Sequence, residues 1–466
     1  MGLFSLLPPL LAIFLAIRTK QVYLSLLAGI FVGQLALVNW NIFQGFFQTL
    51  NSFINILSDK GNSQVIIFCM LVGGLISLAG SSGGVQGFID FMTHKNIVTN
   101  KKGAMLLSWI IGLLLFIETS LICLVVGSIG RPLFDRFKIS RAKLAYIADS
   151  TAAPVCVMVP FNGWGAYITV LIAKQGLEHP FNIMLKAITT NFYAIFTIIF
   201  VFFIIMSGKD FFTMKKEEKK CKIECDNQNP SLDSEYQYML PKENIPHRAR
   251  NFIIPIIVLI VMLPIGMLIT GHGEFSKGSG TTSVYWGVFI AITVAIIMYK
   301  FQKILPIKES INIVITGAGN LLSMGVLMIL AFSLGLTCKQ LGTGLYVAHI
   351  VQNFHLPQIF IVPLIFVASS FIAFSTGTSW GTFAIMIPIA IPIATYINLP
   401  VPFTISAVMG GGVFGDHCSP ISDTTIISSL ASGCDHIKHV ETQLPYALIV
   451  GGITFGIYFI ASVLFL

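Results

Sequence analysis

Residues 415–425 read Gly-Asp-His-Cys-Ser-Pro-Ile-Ser-Asp-Thr-Thr and lie within a long apolar part of the chain. They bring together two carboxylates (Asp416 and Asp423), an imidazole (His417) and four hydroxyls. Charged groups at membrane depth are costly, so they normally face a cavity or a partner. Pro420 breaks a helix and frees backbone carbonyls that could hold a cation. The string therefore predicts a discontinuous membrane helix with a polar site at its break.

The composition supports a membrane setting for this string. The chain has 466 residues, of which 55% are hydrophobic and 10% charged, whereas soluble domains have about 25% charged residues. Apolar stretches recur along the whole length and predict a polytopic helical membrane protein, whose main partner is the lipid bilayer. The net charge of +8 comes from basic residues between the predicted spans. We interpret that charge as an orientation signal and expect no nucleic-acid partner.

The predicted elements occur twice in the same order. Each half has three spans, two short apolar arms, an interrupted segment and a last span. Arms are predicted at 104–117, 119–134, 356–374 and 378–397, interrupted segments at 143–173 and 403–432, and last spans at 186–206 and 446–466. Polar residues between the halves indicate a linker. We therefore divide the chain into a first repeat (1–207), a linker (208–250) and a second repeat (251–466).

The two halves also share residues at an offset near 258, for example Gly29 with Gly287. The interrupted segments match as Asp149-Ser-Thr-Ala-Ala-Pro154 and Asp416-His-Cys-Ser-Pro420, after an insertion in the second half. The arms form either a re-entrant hairpin or two crossings, and each half has an odd number of crossings in both cases. The predicted fold is an all-α polytopic membrane protein with two inverted-topology repeats, each with a re-entrant hairpin and a discontinuous helix.

Charge sets the expected orientation. With the turn at Arg18 and Lys20 in the cytoplasm, most of the 28 lysines and arginines fall on cytoplasmic segments, as the positive-inside rule requires. This topology predicts that both termini are outside and that the linker is cytoplasmic. The expected location is the inner membrane of a bacterium.

Four carboxylates are predicted at membrane depth: Glu118 where the first two arms meet, Asp149 and Asp416 opening the two breaks, and Asp423. Repeat symmetry would bring them towards one cavity, together with the second arm junction, 375–382. Hydroxyls and freed carbonyls there suit Na⁺, for which the candidate ligands are Asp149, Asp416, Ser419 and Asp423. The full set of candidate ion- or substrate-binding residues is Glu118, Thr119, Ser120, Asp149, Ser150, Thr376, Thr378, Ser379, Asp416, His417, Ser419, Asp423 and Thr424.

Two basic side chains have alternative interpretations. His417 is either a proton carrier, since an unperturbed imidazole has a pKa of about 6.5, or a hydrogen-bonded spacer that holds Asp416. Arg131 either pairs with Glu118 or lies at the cytoplasmic mouth with its head group in water, and the second interpretation is favoured. His436 and His439 are expected at the surface.

The string at 415–425 resembles the NhaC family of sodium/proton antiporters. The 376–382 segment before it, and Cys434-Asp-His436 and Thr442-Gln-Leu-Pro-Tyr446 after it, add to this resemblance. The family looks related to a wider ion-transporter superfamily, whose inverted repeats each carry a re-entrant hairpin and a discontinuous helix. Better-known members tend to have lysine where His417 stands. The Asp-His-Cys-Ser-Pro form resembles a branch that also contains amino-acid and organic-acid carriers, so the resemblance implies a transporter more firmly than a substrate.

Two transport functions follow from these residues. The first is Na⁺/H⁺ antiport by alternating access, in which the cation and protons compete for the buried carboxylates. The second is cation-coupled transport of an amino acid or small organic acid, whose carboxylate would bind Thr119, Ser120, Thr378 and Ser379. A channel is disfavoured by the paired hairpins, and no motif supports an enzyme. No cofactor is expected, because Na⁺ and H⁺ are transported or coupling ions, and a homodimer stays open.

Overall fold

The described residues are almost entirely helical. The structure is a computed structural model, and it describes residues 2–19, 21–93, 100–223, 245–274, 278–343, 346 and 357–465. The helices of the first half are α1 (Leu7–Thr19), α2 (Val22–Leu37), α3 (Ile42–Ser58), α4 (Lys60–Ser81), α5 (Gly84–Thr93), α6 (Lys101–Leu114), α7 (Thr119–Arg136), α8 (Arg141–Met158), α9 (Gly163–Lys174), α10 (Pro180–Thr189) and α11 (Phe192–Ser207). They are followed by α12 (Phe212–Ile223), α13 (Arg250–Thr270), α14 (Gly280–Phe301), α15 (Ile307–Asn320), α16 (Leu322–Leu341), α17 (Ile361–Thr376), α18 (Ser379–Tyr396), α19 (Val401–Cys418), α20 (Asp423–Ser432) and α21 (His436–Phe465).

Many of these helices can cross a membrane. Among the described residues, seven helices are long and apolar enough to span it, and the number is nine if each of two bent pairs is one span. The bent pairs are α8 with α9, at 44°, and α10 with α11, at 41°. An all-α polytopic membrane protein is therefore confirmed.

The order of elements repeats, with an offset of 260 in the part that carries the site. Helices α7, α8 and α9 begin 260 residues before α18, α19 and α20. Contacts between the halves are reciprocal: α4 packs against α14 and α15, while α16 packs against α2 and α3. Reciprocal packing of this kind is expected of two halves that are related by a pseudo-two-fold axis. The inverted orientation, the domain boundaries and the sides of the termini stay predictions.

The helix bounds correct the predicted match between the two breaks. Asp149 lies inside α8, nine residues before its end, and Pro154 is also within that helix. The first break is 159–162, and no insertion is needed to align it with the second break at 419–422. At the offset of 260 the counterpart of Asp416 is Cys156, and the counterpart of Asp149 is Met409. The two aspartates are therefore not equivalent positions, and Asp149 does not open a break.

Several helical features were not predicted. Helix α3 lies between predicted spans, with a mostly small and polar buried face (Gly45, Thr49, Ser52 and Ile56) and exposed phenylalanines. This is the reverse of a soluble amphipathic helix and suits a surface that faces lipid. The last span of the first half is the bent pair α10 and α11. The linker begins with α12, while residues 224–244 lie outside the described residues.

Candidate functional site

The two arm junctions are non-helical gaps, and a polar side chain begins the helix after each. Glu118 is the N-cap of α7: its carboxylate accepts a hydrogen bond from the backbone N–H of Leu121 at 2.8 Å and from the hydroxyls of Thr119 and Ser120 at 3.1 Å each. A carboxylate is stabilised at a helix N-terminus by the unpaired N–H groups and the helix dipole. At the equivalent position Thr378 is the N-cap of α18, without a side-chain cap bond.

Each break is tied to the junction in its own half by a polar side chain. In the first half, Asn162 Nδ2 donates to the carbonyl of Phe116 at 2.7 Å. In the second half, the hydroxyl of Ser419 donates to the carbonyl of Phe374 at 2.8 Å. Both carbonyls lie where the helical hydrogen-bond pattern ends, so they need another donor in a membrane. The tie couples the positions of junction and break.

Asp149 is the centre of a fully buried polar cluster. It is 0% exposed, and its Oδ2 accepts hydrogen bonds from Gln443 Nε2 at 2.6 Å and from the hydroxyl of Thr425 at 3.2 Å. The Nε2 atom of His439 lies 3.4 Å from the same oxygen. Asp149 Oδ1 accepts no hydrogen bond from the described residues. The Nε2 atom of His417 lies 3.9 Å from that oxygen. A buried carboxylate with one oxygen outside any hydrogen bond can bind a small cation or a proton, either of which offsets the cost of burying its charge.

His417 connects the two aspartates. It follows Asp416 in the chain, and its Nε2 is 3.0 Å from the backbone carbonyl of Asp149. The other ring nitrogen, Nδ1, is 3.1 Å from the hydroxyl of Tyr193. If Nε2 carries the proton, it donates to the carbonyl and Nδ1 accepts from the tyrosine, so a neutral imidazole satisfies both contacts. This arrangement favours the spacer interpretation of His417, although it holds the backbone of Asp149 as well as its own neighbour.

Asp416 forms a second, smaller polar centre at the last turn of α19. It is 4% exposed, and its Oδ2 accepts a hydrogen bond from the hydroxyl of Ser379 at 2.8 Å. Ser379 is the first residue of α18, so the arm junction and the break meet at this carboxylate. Because His417 bridges from here to Asp149, the two centres belong to one continuous site.

The other predicted site residues have separate surroundings. Thr376 donates to the carbonyl of Ile372 in its own helix, at 2.9 Å. Thr424 pairs with the hydroxyl of Ser422, and it is its neighbour Thr425 that contacts Asp149. Asp423 is exposed at the start of α20, and Ser150 is buried one residue after Asp149. Glu118 serves its own helix, as described above. The binding roles of all these residues stay predictions.

The structure bears on the expectations for two basic side chains, while the position of Arg131 at the cytoplasmic mouth stays a prediction. His439 is 0% exposed, so its prediction as a surface residue was wrong. Arg131 does not pair with Glu118 in the described contacts: its guanidinium donates to the carbonyl of Leu430, near the end of α20. A cation at the carbonyl end of a helix is favourable, so Arg131 caps that helix.

His439 and Gln443 are the functional candidates that sequence reasoning missed. They are four residues apart on α21, so their side chains lie on one face of the helix. The spacing was visible in Cys434-Asp-His-Ile-Lys-His439 and Thr442-Gln-Leu-Pro-Tyr446. The sequence does not show that α8 packs against this face of α21, and that packing is what brings His439 and Gln443 to Asp149.

Comparisons with known proteins agree with this architecture. A model of the Na⁺/H⁺ antiporter family matches residues 155–463. An uncharacterized protein of Haemophilus influenzae is 36% identical over 97% of this chain and 89% of its own length. The arginine/ornithine antiporter ArcD of Halobacterium salinarum is 26% identical over 46% of this chain and 42% of its own length.

A solved structure is similar in fold. The crystal structure of the YdaH transporter of Alcanivorax borkumensis, described as having an unusual topology, aligns with a TM-score of 0.59 over 90% of this chain and 88% of that chain. The sequence identity is 11%, so this likeness concerns the fold alone.

Proposed function

Because this chain belongs to the Na⁺/H⁺ antiporter family, we propose that it exchanges Na⁺ for H⁺ across a bacterial inner membrane by alternating access. The observation that carries this proposal is the buried carboxylate of Asp149, whose Oδ1 accepts no hydrogen bond from the described residues. Among the described residues, the contacts of this carboxylate are with an amide, a hydroxyl and two imidazoles. A transported cation or proton would therefore supply the missing positive charge.

The exchange follows from competition for the same negative charge. Na⁺ prefers oxygen ligands, which the candidates Asp149, Asp416, Ser419 and Asp423 can offer. When the site faces a side rich in protons, protonation removes the charge that holds the cation, and the cation leaves. The Na⁺-bound and the protonated forms both have less uncompensated charge than the empty site. Both can therefore change from one orientation to the other more easily than the empty form.

Proton transfer in vesicles tests this proposal directly. Everted vesicles with a preset pH gradient should lose it on addition of Na⁺, between about pH 6 and 9. Asp149→Asn and Asp416→Asn should abolish that response because they remove the exchangeable charge. Asp90→Asn is the matched control, since this carboxylate belongs to a separate ion pair with His247. A full response in either site variant would refute the proposal.

An alternative is sodium- or proton-coupled transport of an amino acid or a small organic acid. It is favoured by the similarity to a protein named as an arginine/ornithine antiporter. In this proposal the hydroxyls of the arm junctions hold the substrate carboxylate. Three of them already donate within the protein, Thr119 and Ser120 to Glu118 and Ser379 to Asp416, so the substrate would have to displace these bonds. Na⁺-dependent uptake of a labelled solute, without solute-free proton exchange, would favour this function.

A further inference from the structure

Residues 208–223, here called the gate segment, connect the end of α11 to the undescribed part of the linker. We propose that the gate segment closes the path between the Asp149 cluster and the end of the helical bundle at which α8 and α21 begin. This inference rests on the proposed transport function, because a gate has a role only if Asp149 must be reached by an ion.

The deepest contact of the gate segment is a buried ion pair. Lys143 Nζ lies 2.6 Å from Asp210 Oδ2, and the side chains are 4% and 10% exposed. The hydroxyl of Tyr446 donates to the other oxygen of Asp210 at 3.2 Å and accepts from the backbone N–H of Phe211 at 3.1 Å. A buried ion pair adds little net stability compared with apolar packing. We therefore interpret the pair between Lys143 and Asp210 as a specific contact that separates when the gate segment opens.

This ion pair lies next to the site along two helices. Lys143, Tyr146 and Asp149 succeed one another at three-residue intervals on α8, which keeps them on neighbouring parts of one face. On α21, Tyr446 follows Gln443, the donor to Asp149, by three residues. The rings of Tyr146 and Tyr446 meet with centroids 5.0 Å apart. An aromatic pair and an ion pair therefore separate the Asp149 cluster from the gate segment.

Helix α12 then covers the first turns of the same two helices. Glu218 accepts a hydrogen bond from the backbone N–H of Ser140, the N-cap of α8, at 2.8 Å. Glu217 pairs with Lys438 on α21 at 3.0 Å. The hydroxyl of Thr213 donates to the carbonyl of Glu441 at 2.7 Å. These three polar contacts of α12 thus go to the two helices that supply Asp149, His439 and Gln443.

The opposite face of α12 is rich in exposed lysines. Four of its residues, Lys215, Lys216, Lys219 and Lys220, are exposed, while Met214 is 0% exposed on the docked face. The helix therefore has one face that holds it against the bundle and one that meets solvent. Changes on the docked face should loosen the gate, and equal changes on the solvent face should not.

Two native cysteines report on the two sides of the gate. Cys434 lies in the loop between α20 and α21 and is 6% exposed, with Glu217, Lys438 and Arg141 near its thiol. Burial raises the pKa of this thiol to about 12, so its reaction with a maleimide requires that it become exposed. Cys123 is 0% exposed and lies beside the site, with its Sγ 4.0 Å from the carbonyl of Thr424, the neighbour of Thr425, which contacts Asp149.

The test compares maleimide labelling of these cysteines in purified protein held in nanodiscs, with labelled peptides quantified by mass spectrometry. The gate variant is Glu217→Ala with Glu218→Ala, and the control is Lys215→Ala with Lys216→Ala on the solvent face. Alanine keeps the helix in both. We expect Cys434 to be labelled about five- to tenfold faster in the gate variant than in the wild type. A tenfold change corresponds to about 1.4 kcal/mol, which matches the summed free energy of two partly exposed polar contacts. Cys123 should also label faster, and the control should match the wild type at both positions.

Each other outcome overturns the proposal. Faster labelling at Cys434 alone would make the gate segment a surface cover that does not control the path. Unchanged labelling, or an equal increase in the control, would show that the docked contacts hold nothing closed. The proposed function fails by a different result, the absence of Na⁺-dependent proton exchange in the wild type, and that measurement does not alter the labelling rates.

Discussion

Asn162 makes the sharpest structural prediction, because one small side chain joins three backbone groups at the first break. It is 1% exposed, and its Nδ2 donates to the carbonyls of Phe116 and Cys156 at 2.7 and 2.8 Å. Its Oδ1 accepts from the N–H of Gly165 at 3.0 Å and so caps α9. The helical donor that Cys156 would otherwise use belongs to Pro160, which has no N–H.

The cost of Asn162→Ala can be worked from these three bonds. Loss of an N-cap costs about 1 kcal/mol. Each of the two side-chain bonds to a carbonyl contributes about 1 kcal/mol by general estimates, or about 0.6 kcal/mol by the average for hydrogen bonds in membrane helices. We therefore expect Asn162→Ala to lower the free energy of unfolding by about 2–3 kcal/mol. Asn162→Ser should retain the cap and lose the two carbonyl bonds, which costs about 1–2 kcal/mol.

The matched control is Asn100→Ala. Asn100 caps α6 with a single bond, accepted from the N–H of Gly103 at 2.8 Å, at an exposed position. Its loss should cost about 1 kcal/mol. Unfolding of the purified proteins by SDS in mixed micelles would measure all three variants on one scale. If Asn162→Ala is no more destabilising than Asn100→Ala, the tie between break and arm junction does not contribute to stability, and the reasoning is wrong.

Two further predictions concern the second half. Ser379→Ala removes one of two hydroxyls that stabilise the charged form of Asp416, the other being that of Ser422. Protons should then compete better, and about tenfold more Na⁺ should be needed for half-maximal exchange, since a hydrogen bond to a charged group contributes about 1.5–3 kcal/mol. Thr395→Val on the same helix, which removes only a bond to the helix's own backbone, should leave that concentration unchanged. Gly415→Ala should destabilise the protein by about 1–3 kcal/mol, because the new Cβ would overlap the carbonyl of Ser370 in α17. Gly452→Ala, where no atom lies within 4 Å, should be neutral or slightly stabilising in the same unfolding assay.

The sequence predicted what local patterns encode. Long apolar stretches identified most of the crossings, and Pro420 within 415–425 located the second break correctly. The first break was misplaced because proline was treated as a sufficient signal: Pro154 sits inside α8, and that helix continues to Met158. A proline in a membrane helix is tolerated when neighbouring groups satisfy the carbonyl it frees, and those neighbours come from packing that the sequence does not show.

The misplaced first break also changes how the site should be understood. With the offset of 260, each half contributes one acid at a position where the other half has Met409 or Cys156. If each half adopted the conformation of the other, the acids would therefore not return to equivalent positions, and the site would have different ligands. One direct link between the two acids is His417, which adjoins Asp416 and contacts the backbone of Asp149. A movement of α19 relative to α8 either breaks this contact or carries Asp149 along with it, and in the second case the two carboxylates change their exposure together. In the proposed exchange, retention of this contact would couple the two carboxylates, and the coupling would depend on a residue that only the second half carries at this position.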